Sequence, residues 1–198
     1  EWARLAGLTF PGTYALTARR YFHEFESTHD DLVHVSVKNH MHGFDNEMAH
    51  LRKDVSFEKA RSGFMVADPL TLYDCCPTSD GASAVILVAD HLAHQFTDTP
   101  IWVKGSGAGS DKLALHDRPS LTQLRATQLA SQKAYSIADV QPSQIDLAEV
   151  HDCFTIAEVL ATEDLGFTGR GEGGLFARNG QGRRNEGDVT INASGGLK

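Results

Sequence analysis

Apolar positions near the start of the chain recur at helical spacing. Tyr14, Ala18, Tyr21, Phe22 and Phe25 fall at i, i+4, i+7, i+8 and i+11, which predicts a helix over about residues 13–26 with a single aromatic stripe. Such a stripe must be covered by something. Thr28 followed by Asp31 has capping-box spacing and opens a second predicted helix, which carries Leu32, Val35 and Val37 and ends near Gly43. Polar residues without a period fill 38–53, so that stretch reads as loop. A short third helix is expected from about Ser56 to Gly63.

The pattern then changes character. Ala82-Ser83-Ala84-Val85-Ile86-Leu87-Val88-Ala89 is a continuous small and branched run after the turn signal Ser79-Asp80-Gly81, as expected for a strand covered on both faces. A linker from His94 to Pro100 leads to a second short predicted strand, Ile101-Trp102-Val103, and marks a candidate domain boundary. Beyond it the pattern predicts a helix over about 120–138, a strand over 145–150, a helix over about 154–165 and a strand around 189–192. Strands alternating with helices of this length argue for an α/β fold with crossover connections. Residues 169–187 hold seven of the eighteen glycines and read as a long loop or flap.

Composition narrows the function classes. With 198 residues, 41% hydrophobic and 22% charged, the chain is an ordinary globular one. A net charge of −8, with 26 acidic residues against 18 Lys and Arg, argues against a nucleic-acid partner, since phosphate neutralisation needs clustered cations. No apolar run approaches the roughly 20 residues that span a bilayer. Cys75, Cys76 and Cys153 are an odd number of cysteines, and a Cys75–Cys76 bridge would be strained, so free thiols in a reducing cytosol are expected. The chain opens at Glu1 without an initiator methionine and stops at Lys198 just after Ser194-Gly195-Gly196; it is read as an internal piece of a larger enzyme.

Candidate chemistry concentrates at Glu149-Val150-His151-Asp152-Cys153-Phe154, between a predicted strand and a predicted helix. Ligands in open α/β sheets sit beyond the carboxyl ends of strands, which is the address of His151 and Cys153. Thr155 and Glu158 have capping-box spacing, and the helix N-terminus should lower the Cys153 thiol pKa. The plain alternative is that His151 satisfies a backbone group and Cys153 packs as a small hydrophobe. Asp74-Cys75-Cys76-Pro77-Thr78-Ser79-Asp80-Gly81 reads either as a turn with structural thiols or as a loop lining a ligand tunnel. Asn192-Ala193-Ser194-Gly195-Gly196 follows a strand in the same way, and its glycine pair would let backbone approach a ligand closely. Gly105-Ser106-Gly107-Ala108-Gly109 matches no phosphate-loop spacing and is expected to be a flexible turn. Of the histidines, His40, His42 and His50 form the best metal subset, but no cysteine or carboxylate pattern completes a zinc site, and no metal is assigned.

Together these stretches resemble the thiolase superfamily, in particular archaeal-type acetyl-CoA acetyltransferases and sterol-carrier-protein-type thiolases. The resemblance rests on Ala15 to Tyr21, Val37-Lys38-Asn39-His40, Ala67-Asp68-Pro69-Leu70, Asp74 to Ala82, the HDCF block His151 to Phe154 running into Glu163-Asp164-Leu165-Gly166, and Asn192 to Gly196. It implies a five-layered αβαβα fold present here in part: residues 1–78 mostly loop domain with the end of the N-terminal half, 79–96 the last strand region of that half, and 97–198 a partial C-terminal domain. On this reading the aromatic stripe faces a missing part of the first half.

The implied chemistry is acyl transfer between coenzyme A thioesters, either Claisen condensation or thiolysis, without a metal or prosthetic group. By resemblance His151 supports the oxyanion, Cys153 is the acid/base at the α-carbon, and Cys76, Thr78, Ser79, Ser194 and Gly195 contact substrate. The family's nucleophilic cysteine and GHP histidine match nothing in this chain. Expected partners are acyl-CoA, further copies in a dimer or tetramer, a hydroxymethylglutaryl-CoA synthase and a small zinc OB-fold protein, in the cytoplasm. A non-catalytic acyl-CoA-binding or scaffold subunit of thiolase type is the alternative, and a decarboxylating ketoacyl synthase is disfavoured by HDCF.

Overall fold

A computed structural model describes residues 5–198; residues 1–4 of the expected 1–78 division lie outside the described residues. Helix α1 spans Phe10–Phe25, started by Thr9, whose side chain accepts from Gly12 N–H, and stopped by Glu26 in the left-handed region at φ 47°. Helix α2 spans His29–Phe44, ending within a residue of the expected Gly43 and taking in residues 38–44 of the stretch read as loop. Asp31 accepts the Thr28 N–H at 2.9 Å, the expected half of a capping box, and also binds Ser27 and Arg178. A short α3, Phe57–Arg61, leads into an antiparallel hairpin of β1, Met65–Ala67, and β2, Leu70–Thr71. Later come α4 (Arg125–Ala138), β3 (Leu147–Ala148), α5 (Thr155–Asp164), α6 (Gly173–Arg178) and β4 (Thr190–Ile191). Strands β3 and β4 pair in parallel, Leu147 with Thr190 and Ala148 with Ile191, as the α/β pattern predicted.

The main core is helical. Ala15, Ala18 and Tyr21 of α1, Leu32 and Val35 of α2, and Ile156, Val159 and Leu160 of α5 form one buried cluster, with Tyr14, Phe22 and Phe25 packed against it. The aromatic stripe is therefore covered from within this chain, by α5, contrary to the expectation that it faces a missing part of the fold. Tyr14 stacks on Phe154 at 4.5 Å between ring centres. All ten residues of α5 are buried, so the polar ones among them require internal partners.

Two predicted strands do not form. Residues 82–89 and 101–103 lie outside the ladders of the described residues, and Ile86 and Ile101 are 84% and 94% exposed. A ladder needs a neighbouring strand for its N–H and C=O groups, and the described chain brings none beside either run. The 105–109 stretch is not a free turn. Cβ atoms at Gly105, Gly107 and Gly109 would meet the carbonyl oxygens of Ala134, Ala130 and Ala126 at 2.4, 2.0 and 2.4 Å. Alternate residues of an extended segment advance about as far as four residues of helix, so the three glycines dock one small-residue face along α4, running antiparallel to it. The glycine-rich 169–187 stretch is not a flap either. It contains α6, and at Gly173 and Gly174 a Cβ would strike the Val159 carbonyl at 2.6 Å and the Ser27 hydroxyl at 2.7 Å. Among the described residues no helix is long and apolar enough to cross a membrane.

Candidate functional site

Two turns and one loop meet above the N-terminus of α5. The loop runs antiparallel to the HDCF turn: Cys75 bridges Phe154, and Cys76 N–H donates to the Cys153 carbonyl at 2.9 Å. Asp74 anchors this junction. It accepts from Thr71 N–H, the Thr71 hydroxyl, the Thr155 hydroxyl and His29 Nε2 at 2.7–2.9 Å. Burial alone would raise the Asp74 pKa, but the bonds from His29, Thr71 and Thr155 outweigh it and hold the carboxyl below its usual range. The predicted capping pair Thr155 and Glu158 is not made; Thr155 serves Asp74, and Glu158 points into the interior.

There Glu158 joins a buried polar cluster that ties both turns to α2. Lys38 Nζ has three donors and spends them on Asn39 Oδ1 at 2.5 Å, the Ile191 carbonyl at 2.7 Å and Glu158 Oε1 at 2.9 Å. Asn39 Nδ2 donates to Asp152 Oδ2 at 2.8 Å and to Glu158 Oε2 at 2.7 Å. Asn192, held in the left-handed region at φ 54°, donates through Nδ2 to Glu158 and accepts Val150 N–H through Oδ1 at 2.7 Å. Asp152 is fully buried beneath His151 and Cys153 and accepts Leu197 N–H at 2.8 Å. Burial raises its pKa; Glu158 adds to the rise while Lys198 opposes it. At the rim, Glu149 accepts both the N–H and the hydroxyl of Ser194, at 2.9 and 2.7 Å. The turns 149–154 and 192–197 are thus one cross-braced unit.

Of the residues singled out in the sequence, Cys76 and Cys153 lie side by side, and Cys76, Ser79 and Ser194 line one cavity of about 230 Å³ together with Asn46 and His50. Cys76 also opens onto a second cavity of about 280 Å³ with His40, Tyr73 and Lys198. His151 and Thr78 are exposed. Gly195, at φ 98°, is buried and spends its close approach on the protein itself, since a Cβ there would lie 2.5 Å from Gly43 Cα. Gly196 does the same against the Asp152 carboxylate, at 2.5 Å. The Cys153 thiol pKa is raised, first by burial, with a Tyr14 hydrogen bond working the other way; the predicted lowering by the helix end does not prevail.

The histidine subset does not assemble a metal site. His42 uses both ring nitrogens, Nδ1 on the Asn192 carbonyl at 2.9 Å and Nε2 on Arg184 N–H at 3.2 Å. His40 Nδ1 bonds the Ser36 carbonyl, and among the described residues no three His, Cys, Asp or Glu side chains cluster. Sequence reasoning missed the roles of Lys38, Asn39 and His42, having read 38–53 as loop. A signal was available: Leu32, Val35, Asn39 and Gly43 continue one helical stripe at spacings of 3, 4 and 4, visible once a polar residue is admitted to a buried face.

Residues 107–198 match the model for the Thiolase C-terminal domain-like family. An acetyl-CoA acetyltransferase of Methanothermobacter thermautotrophicus is 47% identical over 198 residues, which is all of this chain and 51% of that protein. Sterol carrier protein 2 of Bos taurus is 27% identical over 94% of this chain and 35% of its own length. Among solved structures, an aldolase described as Ltp2-ChsH2(DUF35) superposes with a TM-score of 0.91 at 30% identity, covering 98% of this chain and 52% of that one. The chain spans about half the length of the acetyltransferase it matches.

Proposed function

We propose that this chain, whose residues 107–198 match the Thiolase C-terminal domain-like family, forms part of an acetyl-CoA C-acetyltransferase of the thiolase superfamily, which transfers acyl groups between coenzyme A thioesters. The observation that carries the proposal is the HDCF turn, held at the N-terminus of α5 with Cys153 against Cys76 and Asp152 braced from below by Asn39. A braced turn keeps a proton-transfer group in one place, which a general acid or base needs. Burial keeps the Cys153 thiol protonated. In thiolysis such a thiol gives its proton to the enolate α-carbon of the departing acetyl-CoA, and in condensation its thiolate takes that proton back. His151, exposed on the same turn, supplies oxyanion support. Cys76, Ser79 and Ser194, with Thr78 and Gly195 flanking them, form the wall for the thioester.

The proposed substrates are coenzyme A thioesters, and the mechanism calls on no metal or prosthetic group. None of Cys75, Cys76 or Cys153 is assigned as the nucleophile, so the acyl-carrying cysteine and the second catalytic histidine belong to other parts of the working enzyme. The division into 1–78, 79–96 and 97–198 remains part of this reading. So do a cytoplasmic location, supported by three free thiols, a homodimer or tetramer, and partners of the hydroxymethylglutaryl-CoA synthase and small zinc OB-fold kinds. A two-component description of the superposable aldolase supports a companion protein.

The test is a coupled assay of acetoacetyl-CoA thiolysis. The enzyme carrying this sequence should turn over acetoacetyl-CoA, whereas the 198 residues alone should not. Turnover by the 198 residues alone overturns the division of labour. Binding of coenzyme A without turnover by the whole enzyme favours a non-catalytic subunit.

A further inference from the structure

The register between the loop and the HDCF turn places two thiols opposite each other. Cys75 bridges Phe154 in antiparallel sense and Cys76 N–H reaches the Cys153 carbonyl at 2.9 Å, so Cys76 stands across from Cys153. Opposed residues joined by such a bond in an antiparallel pair share a face with Cα atoms about 5.5 Å apart, inside the roughly 4.4–6.8 Å that a disulfide spans. Cys75 points to the other face, where its thiol donates to the Thr71 carbonyl at 3.3 Å and burial pushes its pKa up to about 11. Cys76 is half-buried and borders both cavities, so a small oxidant can reach it from either side.

We infer that Cys76 and Cys153 are a reversible cross-strand dithiol, oxidised by peroxide to a disulfide. The Cys76 thiolate attacks one peroxide oxygen; the O–O bond breaks, water leaves and a sulfenic acid remains. Cys153 sulfur then attacks Cys76 sulfur, the S–S bond forms, and a second water leaves with the Cys153 proton. Two thiols lose two protons and two electrons, and one peroxide becomes two waters. A dithiol reductant reverses the change. Resting on the proposed function, the disulfide would remove the proton-transfer thiol and switch turnover off.

The experiment treats the reduced, purified protein with hydrogen peroxide and maps its peptides by mass spectrometry without reduction. A peptide joining Cys76 to Cys153, lighter by two hydrogens and restored by dithiothreitol, is the expected result. It should persist in Cys75→Ala and vanish in Cys76→Ala and Cys153→Ala. A bridge joining Cys75 to Cys76, or oxidation that stops at sulfinic acid with no bridge, overturns the inference. The readout is covalent mass, so it stands apart from activity: a bridge that forms while thiolysis is unaffected counts against the role given to Cys153, not against the pair.

Discussion

Lys38 Nζ lies 2.9 Å from Glu158 Oε1, an ion pair whose side chains are 4% and 3% exposed. A buried pair is weak evidence for stability in itself, but breaking one by removing a partner leaves an uncompensated charge and costs about 3–5 kcal/mol. Lys38→Met is therefore expected to lower unfolding stability by about that amount. Adding Glu158→Gln should recover part of the loss, because it removes the orphan charge and keeps an acceptor for Asn39 and Asn192. Urea denaturation of the two variants checks this; a double variant no more stable than the single one would show that the charge is not the cause.

Gly107 and Gly81 make a matched pair for substitution. A Cβ at Gly107 would lie 2.0 Å from the Ala130 carbonyl oxygen, while Gly81 has nothing within 4 Å. Gly107→Ala should cost about 1–3 kcal/mol by pushing the extended segment off α4, and Gly81→Ala should stay within about 0.5 kcal/mol of the parent. Thermal melting of both variants reads the difference.

Acid should loosen the contact between α2 and the 192–197 turn. Burial lowers the pKa of His40 and of His42 below the ordinary 6.5, and in each case a backbone carbonyl bond opposes the shift only in part. The unfolded chain then binds protons that the folded chain refuses, so stability is complete above pH 6.5 and falls as pH drops from there. Both nitrogens of His42 are already bonded, and a proton on Nε2 would face the Arg184 N–H. His42→Gln should flatten the pH dependence of the denaturation midpoint in that window; an unchanged slope would contradict this account.

Within an active enzyme, Cys153→Ala should lower kcat by about 10²–10⁴ with KM little changed, as expected for loss of a proton-transfer group. His151→Ala should lower kcat/KM, through weaker oxyanion stabilisation. Steady-state thiolysis of acetoacetyl-CoA separates the two, and a Cys153→Ala enzyme with parental kcat would remove Cys153 from the chemistry.

The helices around the site were legible because their signals are local. The stripe from Tyr14 to Phe25, the Thr28–Asp31 pair and the strand before His151 each depend on spacing within a dozen residues. The HDCF turn could be picked out by the same logic, as polar residues placed where a strand hands over to a helix. The helical stripe could carry Asn39 onto a buried face, but not show what Lys38 and Asn39 meet there, since their partners Asp152 and Glu158 lie more than a hundred positions away in the chain.

By itself, then, the sequence determined most of the helical segments, though not α6, that β3 and β4 belong to an α/β pattern, and that His151 and Cys153 sit on the turn between a strand and a helix. Tertiary structure decided the rest: α5 covers the aromatic stripe, the glycines at 105–109 dock on α4, residues 82–89 stay unladdered, and Cys153 keeps its proton. Each of these depends on what is brought alongside from elsewhere in the chain. Burial, close approach and strand pairing are properties of neighbours in space, and local spacing carries no record of them.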